Sequence, residues 1–177
     1  MLKIKKIFQI KKNKLVTDSH IPLNIRFGEK YIEQECFEIT NQKKSILDIR
    51  REIINNEITN IVLVGCEKVF FHNFNFDNEN REIKIIEGIP QIYFNSNKIK
   101  AGFTTMIYND FKVLYSFDKI KIVFTNVINN YDKIKKRRIR NHNIDFETNK
   151  NGTLLSITIN ELTYEIIKKI ISILIKK

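Results

Sequence analysis

The side chains best able to do chemistry in this chain are its cations, and they are unevenly placed. Residues 133–140 read Lys-Ile-Lys-Lys-Arg-Arg-Ile-Arg, so Lys133, Lys135, Lys136, Arg137, Arg138 and Arg140 put six positive charges into eight positions. A second run, Lys3, Lys5, Lys6, Lys11, Lys12 and Lys14, carries six more within the first fourteen residues, with no acid among them. Residues 15–132 hold 14 bases against 16 acids, so the excess behind the formal net charge of +11 lies in the two runs.

Three of the chain's seven arginines fall at positions 137, 138 and 140. A guanidinium presents a planar fork that grips phosphate or carboxylate with two bonds, whereas lysine adds a point charge. Cations this dense repel one another and favour an exposed setting. The chemistry this points to is polyanion binding, tolerant of sequence and sensitive to salt, with the backbone of DNA or RNA as the leading partner. Residues 133–140 are the expected primary contact and the N-terminal lysines a secondary basic patch. An acidic protein or nucleoprotein complex is the competing partner; the chain would then be an accessory or inhibitor module, of the kind mobile elements carry. An anionic membrane surface comes third. Phe74 and Phe76, interleaved with polar residues, are candidates for stacking on bases.

Little else supports catalysis, and the chain reads as a non-enzymatic binding protein with no cofactor. His20, His72 and His142 stand alone, with none of the spacings that bind a metal. Five glycines are too few for a phosphate-cradling loop, and no nucleophile motif occurs. Cys36 and Cys66 read as two buried thiols, which points to a reducing, cytoplasmic setting. The 34 Ile, 24 Lys and 21 Asn, against one Ala and no Trp, match A/T-rich codons, so lysine abundance by itself carries no functional weight. A cluster does.

The length of 177 residues fits one domain, expected over residues 1–177. Short β-branched and aromatic runs recur from residue 58 onward, separated by Asn, Asp and Gly, and they lie too close together for helical crossovers. Leu2, Ile4, Phe8 and Ile10 alternate with lysines as a half-buried strand, and Leu23 to Phe27 reads as another. Ser45, with Ile46, Ile49 and Ile53 behind it, predicts a helix over 45–56. Asn160 as cap and the stripe Leu162, Ile166, Ile167, Ile170, Ile171 and Leu174 predict an amphipathic helix over 161–175. The expected architecture is α+β: a mainly antiparallel twisted sheet or incomplete β-barrel, with one early helix and one C-terminal helix.

Overall fold

A computed structural model describes residues 2–28, 33–41, 44–74, 83–94, 100–101, 104–124 and 136–176. The described chain is mostly strand with a single helix at its end, and the α+β class holds.

The first sheet has seven strands. Its middle is β4 (Gln34–Thr40), β5 (Ile46–Glu52) and β6 (Ile58–Gly65). Outside β6 lie β3 (Leu23–Phe27) and then β2 (Asn13–Val16). Outside β4 lie β11 (Thr104–Tyr108) and then β10 (Lys100–Ala101). The second sheet runs β7 (Val69–Phe71), β12 (Phe111–Tyr115), β13 (Ile120–Phe124), β16 (Leu154–Ile159), β15 (Ile144–Asn149), β14 (Lys136–Asn141) and β8 (Ile85–Glu87). A ribbon of β1 (Leu2–Phe8) and β9 (Ile89–Phe94) pairs separately. Pairing is antiparallel except at β11–β4, β12–β7 and β14–β8. Among the described residues both large sheets are open.

Alternation places the core. Leu23, Ile25 and Phe27 of β3 face inward, as do Ile139 of β14 and Phe146 of β15. Phe27 meets Phe146 at a centroid distance of 6.1 Å, which joins the two sheets into one continuous apolar cluster.

The early helix does not form. Residues 46–52 are β5, hydrogen-bonded between β4 and β6. The segment fits both periods: Ile46, Ile49 and Ile53 are spaced as on a helix, but Leu47 and Ile49 alternate with Asp48 and Arg50 as on a strand. Two flanking strands supply ladder partners and bury Leu47 and Ile49 completely, which overrides the local cap signal. Ser45 caps nothing; its Oγ accepts the Glu67 N–H at 3.1 Å. Beyond β5, Asn56 turns the chain in a left-handed conformation (φ 62°).

The C-terminal helix does form, as α1 (Tyr164–Lys176), starting three residues later than the cap signal implied. Thr163 is the cap, its Oγ1 accepting the Ile166 N–H at 3.4 Å, while the Asn160 amide turns to the Asn143 carbonyl and Asp145. Leu162, Ile167, Ile170, Ile171 and Leu174 join the common core. Leu162 N–H bonds the Asp118 carbonyl and Lys169 Nζ bonds the Thr17 carbonyl, so α1 bridges the β12–β13 turn and the end of β2. No described helix is long and apolar enough to cross a membrane.

Candidate polyanion interface

Strand β14 carries the described part of the basic cluster; Lys133 and Lys135 lie outside the described residues. Arg138 and Arg140 point to one side of the strand, and on the neighbouring strand they face Glu147 and Asp145. Arg138 Nη2 donates to Glu147 Oε1 at 3.0 Å, and Arg140 grips Asp145 with two bonds of 2.7 and 2.9 Å. Both acids are buried, at 2% and 3% exposure. Glu147 also accepts from Ser156 Oγ at 2.8 Å and pairs with the buried Lys121 at 3.3 Å. Asp145 also accepts from Asn160 Nδ2 at 3.2 Å. The carboxylate beside it holds the Arg140 guanidinium above its ordinary pKa. Two of the three clustered arginines therefore neutralise acids of their own sheet. That corrects the expectation of a wholly exposed cluster. Burying Asp145 and Glu147 requires opposite charge at bonding distance, and β14 supplies it. Arg137 is exposed and has no ion pair among the described residues, and Lys136 is half-buried at the start of the strand.

The N-terminal basic segment contacts the same sheet at two places. At one end Ile4 N–H donates to the Gly152 carbonyl at 2.8 Å and Lys3 pairs with Thr153, next to Asn149, the partner of Lys136. Gly152 allows this approach: its φ is 76°, and a Cβ there would stand 2.5 Å from the Ile4 carbonyl oxygen. At the other end Gly88 N–H bonds the Arg140 carbonyl at 2.9 Å. Lys11 and Asn141 interlock there: Lys11 N–H donates to Asn141 Oδ1 at 2.9 Å, and Asn141 Nδ2 donates to the Lys11 carbonyl at 2.8 Å. Residue 11 thus meets residue 141, whereas residues 3 and 4 meet the 152–153 turn, two strands away from Lys136. The two basic segments, far apart in sequence, touch at Lys11 and Asn141.

Their free charge is mainly lysine. Lys3, Lys5, Lys6, Lys12 and Lys14 are exposed, with the Lys5 ammonium 4.2 Å above the Tyr93 ring. Lys11 is not free; its ammonium pairs with the buried Glu57. Register adds one cation that sequence reasoning missed. Lys14 of β2 stands directly opposite Arg26 of β3, and both are exposed with no ion pair among the described residues. The row continues through Asn60 to Arg50. The alternation of Leu23, Ile25 and Phe27 already turns Arg26 outward; only the pairing of β2 with β3 shows which cation it joins. An open cleft of about 460 Å³ is lined by Lys12, Asn13, His142, Asn143 and Glu161. His142 and Glu161 both hold left-handed backbones there, φ 53° and 57°.

The aromatic expectation fares differently. Phe74 is buried, its ring 4.9 Å from that of His72, so no base can stack on it. Phe76 lies outside the described residues. Burial pushes the Cys36 thiol up to about 11 and raises Cys66 as well, so neither is a ready nucleophile at neutral pH. Among the described residues, no group of three His, Cys, Asp or Glu side chains is placed to hold a metal ion.

No protein-family model and no curated protein sequence matches this chain.

Proposed function

We propose that this protein is a non-enzymatic binder that holds a polyanion, nucleic-acid backbone above all, without strong sequence specificity. The observation that carries this reading is the Lys14–Arg26 pair. Like charges directly opposite on adjacent strands destabilise a sheet, and among the described residues neither of these two has an ion pair. Lys12 flanks them, and Lys3, Lys5, Lys6 and Arg137 extend the positive surface along the ribbon and β14. A flexible anionic chain following that surface would release counterions at every phosphate it meets. Arg138 and Arg140 hold the strand that positions the others. Lys133 and Lys135 complete the same basic run in sequence.

The packing of the α1 stripe into the core weighs against the membrane reading, because that stripe is not free to enter a lipid interface. The test is titration of nuclease-treated protein against labelled single- and double-stranded DNA and RNA at 50 and 200 mM salt. Five phosphate contacts predict an affinity loss of about 500-fold across that range. Binding to none of these polymers at low salt would end the nucleic-acid reading and leave an acidic protein as the partner to seek.

A further inference from the structure

Among the described residues strand β7 is an edge of the second sheet, with no strand paired on its outer side. On its inner side the Lys68 carbonyl accepts from Val113 N–H and His72 N–H donates to the Tyr115 carbonyl, both at 2.8 Å. Backbone groups alternate sides along a strand, so those of Phe70 also face β12 while those of Val69 and Phe71 face outward. Beside this edge sits a cluster of exposed rings. Phe71, Phe117 and Tyr164 are 54%, 68% and 55% exposed, and Phe70, on the opposite face of the strand, is 52% exposed. Phe71 meets Phe117 at 5.5 Å and Tyr115 at 5.6 Å, and Phe117 meets Tyr164 at 6.5 Å.

We propose that the β7 edge is the interface of a two-fold symmetric homodimer, formed by antiparallel pairing of β7 with β7 of a second copy. The axis passes between the two Phe70 residues. Val69 and Phe71 then exchange both backbone bonds with Phe71 and Val69 of the second copy, forming four hydrogen bonds for groups that have no strand partner among the described residues of one copy. Phe70 meets its equivalent in the closely spaced, non-hydrogen-bonded position between them. Such an interface is self-complementary, as two-fold symmetry requires.

Area and charge both favour a second copy. An aromatic side chain buries about 150–250 Å². Four rings a little over half exposed therefore offer about 450 Å² per copy, or about 900 Å² for the pair, before the strands themselves are counted. That approaches the roughly 1,000 Å² of a specific interface, and the per-copy figure is of the size of the largest patch on a typical monomer, which is often functional. The net charge of +11 does not oppose the contact. The basic run on β14 lies five strands away, about 24 Å at the usual strand spacing, and Lys14 and Arg26 lie on the other sheet. The Debye length at physiological salt is about 8 Å. Lys68 beside the edge is already neutralised by Asp110. The proposal is independent of the polyanion reading.

Sedimentation equilibrium of the nuclease-treated full chain, up to about 200 µM, tests it, because an interface this small gives micromolar association. A concentration-dependent dimer is expected. Phe70→Glu and Phe117→Lys, both exposed positions, should each weaken it about 100-fold with an unchanged circular dichroism spectrum. Phe70→Cys should cross-link across the axis on mild oxidation, since facing Cα atoms there fall within disulfide range. Lys150→Cys, on an exposed turn, should not. A monomer throughout the range, a dimer indifferent to Phe70→Glu, or equal cross-linking at positions 70 and 150 would overturn it.

Discussion

Replacing Arg138 and Arg137 by alanine, one at a time, separates two roles that the basic cluster mixes. Arg138 neutralises Glu147, which is 2% exposed, through a bond of 3.0 Å. Removing one member of a buried ion pair costs about 3–5 kcal/mol, because the other charge stays buried. Glu147 keeps Lys121 at 3.3 Å and Ser156 at 2.8 Å, which puts Arg138→Ala near the lower end, about 3 kcal/mol. At this chain length each kcal/mol moves Tm by about 2–4 °C, so the variant should melt about 6–12 °C lower. Arg137 has no such partner, and Arg137→Ala should stay within about 0.5 kcal/mol of the parent. Thermal and urea unfolding followed by circular dichroism reads both. Replacing the triad Arg138, Glu147 and Lys121 together by Met, Leu and Met should recover most of the loss, because an apolar triad no longer buries charge. If Arg138→Ala melts within about 2 °C of the parent, the internal ion-pair assignment is wrong.

Other consequences follow from single positions. Gly152→Ala should cost about 1–3 kcal/mol and loosen β1, because alanine there is strained by a φ of 76° and crowds the Ile4 carbonyl; urea unfolding and amide exchange at Ile4 read it. Asn141→Ala should remove both bonds to Lys11 and raise amide exchange at residue 11, with a stability loss of about 2 kcal/mol. Cys36 has a folded pKa above its unfolded value, so its contribution is complete below pH 9.0 and is lost as pH rises toward about 11. Cys36→Ser should flatten the fall of Tm across that window. Burial raises Asp48, which faces Glu38 across the β4–β5 pair, so its ionised form is disfavoured in the fold. Asp48→Asn should therefore raise Tm at pH 7 and leave it unchanged at pH 3, where the carboxyl is protonated in both states.

Much of the fold is legible in the chain because period two is a strong local signal. Leu23, Ile25 and Phe27 mark β3, and the Asn149–Gly152 turn between Ile144 and Ile159 marks a hairpin, without any tertiary knowledge. Residues 46–52 are not legible in this way, because isoleucines three and four apart satisfy both periods until flanking strands decide between them. The candidate site is legible as composition and illegible as geometry. Arg138 and Arg140 look free in sequence because their acids arrive five to nine residues later, across a hairpin register that the residue string does not print. Arg26 looks isolated until β2 lies beside β3. The parallel pairings of β7, β8 and β4 depend on long-range closure, which no local pattern encodes.

The most direct measurement is the salt dependence of nucleic-acid affinity for the parent chain beside a Lys12→Gln, Lys14→Gln, Arg26→Gln variant. All three residues are exposed, so the fold should survive, as a Tm no lower than the parent's would report. The account predicts weaker binding to every sequence tested and a salt slope shallower by about 2–3. Parent and variant binding with the same affinity and the same slope would contradict it.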